Sequence, residues 1–272
     1  MLKTMLNAWK VPDLRKKILF TLFVVIVFRI GSVIPVPFLN MEALQSLMGG
    51  LEDGSLFSYL NTISGDSFSR ATMFAMSITP YINASIIMQL MTVVIPALER
   101  MTKEGEEGRK KMSAITRYLT VILGLLQGTA FYFWLKNNTS NNGTRITMYN
   151  QGFEGVFSAI VIILTFTAGT ALIMWLGEQI NQKGVGNGIS IILFAGIVSR
   201  MPTLISTLWG YLELAMRYPN GNISGLTLYT LQNWTFYIFV PLFIVLFLIV
   251  MWAIVFMNDA ERRIPIQYAK RV

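Results

Sequence analysis

Four stretches of this chain, near residues 18 to 37, 112 to 135, 153 to 177 and 235 to 257, have about the 20 predominantly apolar residues that an α-helix needs to cross the hydrocarbon of a bilayer. Inside lipid every backbone N–H and C=O must find an internal partner, so such segments become helices. Two further windows are less regular. One, roughly 71 to 98, carries Pro80 and several polar residues, and the other, roughly 186 to 208, is interrupted by Arg200 and Pro202. Counted together they give six spans, and the expected fold class is an all-α, multi-spanning membrane bundle. Composition agrees: 54% of the 272 residues are hydrophobic and 13% charged, outside the mixture typical of a soluble domain.

A formal charge of +8 would suit nucleic acid only as a basic face on a soluble domain. Here the charge sorts by membrane side instead. The N-terminus holds Lys3, Lys10, Arg15, Lys16 and Lys17; the loop after the second span holds Arg100, Lys103, Arg109, Lys110, Lys111 and Arg117. Lys183 follows the fourth span, and Arg262, Arg263, Lys270 and Arg271 lie in the tail. These make 16 of the 22 cationic side chains, and the positive-inside rule then puts both termini of this chain in the cytosol. A cleavable signal peptide in place of the first span is set aside, because no small-residue cleavage site follows and "GSVIPVPF" reads as a helix end. The Asn-rich "KNNTSNNGTR", 136 to 145, is expected to be an exposed turn region on the far side.

Cysteine and histidine are both absent, which removes disulfides, thiol nucleophiles, imidazole bases and the usual zinc ligands. Enzyme readings are weakened accordingly, and no cofactor is expected. Gly184, Gly186 and Gly188 in "EQINQKGVGNGISIILFAG" resemble a nucleotide-binding run. They lack the third fingerprint spacing, follow a membrane helix instead of a strand, and have no acidic residue about 20 positions on.

Residues 49 to 70, "GGLEDGSLFSYLNTISGDSFSR", are too short and too polar to cross. Gly49, Gly50, Gly54 and Gly65 bracket an apolar patch, Leu56 to Ile63, long enough for a short helix on flexible joints. It reads either as an interfacial helix on the outer leaflet or as a re-entrant segment, which needs protein or water around it. In the second window Thr79 and Pro80 suit an N-cap and first-turn pair, so a helix restarts there. Ile78, Ile82, Ile86 and Gln89 then share one face, with Asn83 and Ile87 beside it. Isoleucines at that spacing suit lipid-facing or packing positions as well as a pore wall. Asn83 and Gln89 cost energy in hydrocarbon without partners, which directs them to protein or water. Arg29, near the outer end of the first span, can snorkel to the interface. The tail "ERRIPIQYAKRV" is a basic juxtamembrane stretch attracted to anionic lipid.

Four motifs, "IPVP" at 34 to 37, "ITPYINASIIMQL" at 78 to 90, "WLGEQINQKGVGNGISIILFAGIV" at 175 to 198 and "RRIPIQYAKR" at 262 to 271, resemble the SecY family, the channel subunit of the bacterial protein-export translocon. The resemblance runs the length of the chain in order. It implies an inverted-repeat fold of ten helices in two halves, hinged between the fifth and sixth, around an hourglass pore. Residues 1 to 208 would be the N-terminal half, with helices one to five and an external plug at about 49 to 70. Residues 209 to 272 would hold the hinge loop, helix six and the start of the cytosolic loop after it. Helices seven to ten would then lie beyond Val272, in a longer or split chain or in a second chain.

The resemblance further implies a pore ring that includes Ile78, Ile82, Ile189 and Leu193, and a plug that includes Leu56, Phe57, Tyr59, Leu60, Ile63 and Phe68. It places Asn83 and Gln89 at the lateral gate, and Arg262, Arg263, Lys270 and Arg271 where SecA or the ribosome docks. Implied partners are the SecE and SecG subunits, the SecA ATPase, the ribosome, a translocating polypeptide with its signal peptide, and membrane lipid, all at the bacterial plasma membrane. The alternative is half of a small-solute secondary transporter, which expects buried ionisable residues at the midplane; the second and fifth spans offer almost none.

Overall fold

The computed structural model describes residues 11–49, 56–139, 143–217 and 234–260. The expected docking residues Arg262, Arg263, Lys270 and Arg271 lie outside these, as do Lys3, Lys10, Gly50 and Gly54. Contacts divide the chain into one unit that runs to Arg200 and a second that begins at Met201.

The first unit opens with α1 (Pro12–Gly31), whose start is fixed by Pro12 in the first turn with Asp13 beside it, a residue pair suited to the positive end of a helix. Val24, Phe28 and Gly31 form its buried stripe. The helix stops well short of residue 37, because Pro35 and Pro37 cannot continue it. The chain runs instead as an extended segment in which Val36 N–H donates to Ala71 O at 3.0 Å and Ile34 O accepts from Met73 N–H at 2.9 Å. The "IPVP" motif is therefore a short backbone tie to the chain that leads into the second span.

After α2 (Met41–Gly49) and α3 (Leu56–Ile63) come tight turns with left-handed backbone at Asp66, Ala71 and Ser77. Helix α4 (Thr79–Val94) begins only then. The restart at Pro80 is present, but Ile78, not Thr79, takes the N-cap position, without a side-chain cap bond. Pro96 ends the span: Ile95 turns extended and α5 (Pro96–Lys103) leaves at 102° to α4. On α5 the Lys103 Nζ reaches Glu99 Oε1 at 2.7 Å, and that hydrogen bond holds the exposed Glu99 carboxyl below its ordinary range.

Two long helices form the backbone of the unit, α6 (Glu106–Asn137) and α7 (Gly152–Lys183). They pack along Thr120, Gly124, Gly128 and Phe131 on one side and Ile162, Phe166, Thr170 and Ile173 on the other, with the small residues allowing close approach of two helices that gain nothing from leaving lipid. Helix α8 (Gly188–Val198) folds back on α7, while α1 packs on both, α4 on α6 and α7, and α3 on α8.

In the second unit α9 (Met201–Arg217) packs against α10 (Trp234–Asn258). Residue 208, the expected end of the N-terminal half, falls within α9. The apolar side chains of 242–257 on α10 are exposed, as a lipid-facing helix requires.

Among the described residues four stretches are long and apolar enough to cross a membrane, Glu106–Asn137, Gly152–Lys183, Gly188–Gly210 and Pro241–Asn258, and a fifth is added only where the bent pair α4 and α5 is counted as one span. The first expected span falls short because Asp13, Arg15, Lys16 and Lys17 occupy the opening of α1. Its apolar part, residues 18–31, extends only about 21 Å at 1.5 Å per residue.

Candidate functional site

The two helices that carry the expected ring, α4 and α8, both pack on α7. Ile78 at the N-cap of α4 is fully enclosed, at 0% exposure, while Ile82 one turn later is half-buried. On α8, Ile189 and Leu193 are likewise half-buried and lie one turn apart. All four belong to a single apolar cluster with Phe28, Phe74, Ile173, Leu176, Ile180 and Ile192. Phe28 and Phe74 stack at 5.7 Å behind Ile78. Residues 111 positions apart in the chain are thus brought onto one surface, three of them with a face left uncovered.

What holds α8 in register is the glycine-rich turn before it. Asn187 caps the helix, its Oδ1 accepting from Ile189 N–H at 3.1 Å and Ser190 N–H at 3.4 Å. Asn181 Oδ1 accepts from Gly188 N–H at 2.7 Å, and Thr21 Oγ1 of α1 from Val185 N–H at 3.1 Å. Gly186 sits at φ 73°, a region that glycine enters without strain. A Cβ on Gly188 would overlap the Gly177 carbonyl oxygen of α7. These glycines therefore serve a tight helix-to-helix reversal, which explains why they lack a phosphate-binding pattern.

Ile192, the inward residue of α8, escaped the sequence reading. With Ser190 the only polar side chain in "GISIILFAGIV", periodicity could not distinguish the faces of this helix.

Helix α3 lies against protein. Its Leu60 packs on the core formed by α2, α6 and α7, and Ile63 abuts Gly196 of α8 so closely that a Cβ there would sit 3.0 Å from the Ile63 carbonyl oxygen. Tyr59 is exposed, Ile63 half-buried, and Phe68 buried against Phe131 with ring centroids 4.6 Å apart. Phe68 is accordingly a core anchor beyond the end of the helix. Leu56 and Phe57 belong to α3, and their side chains fall outside the described ones.

Tyr59, Leu60, Phe68, Met76, Thr79 and Asn83 line one side of a cavity of about 510 Å³, and Gln127, Phe131 and Trp134 of α6 the other. Asn83 is thus brought to protein and polar company, whereas Gln89 is exposed two turns along α4. Gln127 was not anticipated, although a glutamine inside an apolar span is itself a signal of a protein-facing or water-facing position. Ten residues before Gln127 on the same helix, α6 is tied to α7 by Arg117 Nε to Glu178 Oε1 at 2.7 Å, with Glu178 largely buried.

The model of the SecY family matches residues 72–272. This chain belongs to the SecY family. Its relatives there carry the name protein translocase subunit SecY: that of Bacillus subtilis is 42% identical over 273 residues, spanning 99% of this chain and 57% of the relative. The Streptomyces scabiei protein is 40% identical over 278 residues, spanning 100% and 58%, and the Thermotoga maritima protein 39% identical over 270, spanning 98% and 56%. The chain therefore covers somewhat more than half the length of these SecY proteins. Among solved structures, Sec61 in the canine ribosome-channel complex from the endoplasmic reticulum matches with a TM-score of 0.57 and 20% identity, over 92% of this chain and 49% of that one. A second structure, described as that of a protein conducting channel, matches with a TM-score of 0.55 and 20% identity, over 88% and 47%. The fold is that of the SecY helical bundle, represented here by a part of its length.

Proposed function

We propose that this chain forms the N-terminal half, plus one further helix, of a protein-conducting channel that passes unfolded secretory polypeptides across the bacterial plasma membrane and releases membrane helices sideways into lipid. The observation that carries this reading is the gathering of Ile78, Ile82, Ile189 and Leu193, from two separate helices, in one apolar cluster. A collar of branched aliphatic side chains dewets at rest and deforms around a passing chain, so it seals without a fixed filter or any chemistry of its own. On this reading the channel is not an enzyme, and ATP is used by a partner.

Helix α3 acts as the plug from the external side, supported by its packing on α8, the helix that bears Ile189 and Leu193. Asn83 and Gln89 face the lateral gate; the cavity beside Asn83 supports the first of these. Both ends of this chain face the cytosol, where the basic tail receives SecA or the ribosome through acidic protein surface or RNA phosphate. SecE and SecG complete the membrane complex, with the remaining channel helices closing the ring and the gate. A solute transporter would call on a buried coupling carboxylate, but Glu178 is already engaged by Arg117.

The test is transport by the full-length protein, reconstituted with its partner subunits and SecA in vesicles. An unfolded secretory polypeptide becomes protease-protected inside when ATP is supplied. No protection with a secretory polypeptide, together with uptake of a small solute, would contradict the proposal.

A further inference from the structure

Asp66 and Arg200 carry opposite charges on two turns that the fold presses together. Asp66 closes the turn after α3 in left-handed backbone, φ 72°, a conformation that Asp and Asn enter more readily than most residues. Arg200 lies in the turn that follows α8. Its Nη2 stands 3.1 Å from Asp66 Oδ1, with both side chains about a third exposed (31% and 30%), and its Nη1 donates to Thr62 Oγ1 at 3.1 Å.

The receiving side is built to hold that grip. The same Asp66 oxygen accepts from Asn61 Nδ2 at 3.0 Å, and Asn61 Oδ1 accepts from Ser69 N–H at 3.0 Å, so the turn keeps its shape whichever way Arg200 moves. Under the ion pair, Gly65 and Gly196 meet backbone to backbone. A Cβ on Gly65 would lie 2.6 Å from the Gly196 carbonyl oxygen, so only glycine lets the turn approach α8 closely enough for the arginine to span it. A guanidinium is a planar fork with donors on two nitrogens, and it is here shared between the helix α3 and the turn behind it.

The geometry points to Arg200 as a latch, a positioning residue that pins α3 to α8 in the closed channel and must let go before α3 can move aside. This inference rests on the reading of α3 as the plug. The latch joins the plug to the helix that carries Ile189 and Leu193, so movement of that helix strains the same contact that keeps the plug in place. A partly exposed ion pair has a modest net strength. That suits a contact that has to break in each transport cycle.

The experiment measures resting chloride permeability of vesicles that contain the full-length protein with its partner subunits and no substrate. Arg200→Gln and Asp66→Asn, the latter retaining a residue tolerant of φ 72°, each raise permeability roughly 3- to 5-fold, the upper range of one partly exposed ion pair. Combined, they leak no more than the leakier single variant, because both remove the same contact. Arg200→Lys, which keeps the charge but loses the fork that reaches Thr62 as well as Asp66, leaks less than Arg200→Gln and more than the parent. Continued export of a secretory polypeptide shows that each variant is folded; for one that does not export, Thr62→Ala removes a single arm of the contact and is read instead. A channel deleted for residues 56–63 separates the two readings. If that deletion leaks while Arg200→Gln and Asp66→Asn stay tight, or if their effects add, the latch is overturned and the plug stands. If the deletion does not leak, the plug assignment itself fails.

Discussion

At Gly188 the added methyl of an alanine would overlap the Gly177 carbonyl oxygen, a backbone atom that cannot step aside; at Gly124 it would lie 3.6 Å from Thr170 Cγ2, in ordinary contact. Overpacking against rigid backbone costs about 2 kcal/mol or more, whereas a contact at van der Waals distance costs little. Gly188→Ala is therefore expected to lower the melting temperature of the detergent-solubilised full-length protein clearly, and Gly124→Ala to leave it within about 0.5 kcal/mol of the parent, the scatter of a neutral change. Equal effects at the two sites would show that the α7 to α8 reversal is looser than its geometry. The difference was not readable from sequence, where both are glycines in apolar surroundings. The same holds for Phe68, whose place in the core depends on Phe131, and for the Arg200 contact to Thr62, 138 positions away.

Among the elements, α6 and α7 show what joins two membrane helices: close approach at Gly124 and Gly128, large apolar side chains packed beside them, and an ion pair, Arg117 to Glu178, near one end. Arg117 is 46% exposed, so solvent screens the pair and its net contribution is about 1 kcal/mol. Glu178→Gln and Arg117→Gln are each expected to destabilise by about that amount, with a double variant no worse than either alone; thermal melting in low and high salt measures it, and strictly additive losses would contradict the tie. At this scale the sequence was largely legible. Long apolar runs located α6, α7 and α10, since length and apolarity are all that a bilayer demands, and Pro80 marked the start of α4 to within a residue. The bend at Pro96 and the short apolar part of α1 were less so, because a window of about 20 residues averages over a proline or a cluster of charges.

For the molecule as a whole, the ring is a proposal that comes from the resemblance to SecY, and what the structure adds is that its four residues share one apolar cluster. Their clustering depends on α4 starting late and α8 folding back tightly, two features set by Pro80 and by the turn from Gly184 to Gly188. Ile78 is enclosed by its neighbours in this arrangement, while Ile82, Ile189 and Leu193 retain an open face. The most direct measurement places a photo-crosslinking residue singly at Ile82, Ile189, Leu193 and, as a comparison, at the exposed Phe157, which lies outside their cluster, in the full-length channel with a secretory polypeptide stalled in transit. The account predicts adducts to that polypeptide at Ile82, Ile189 and Leu193 and none at Phe157. Adducts at Phe157 with none at the other three would contradict it.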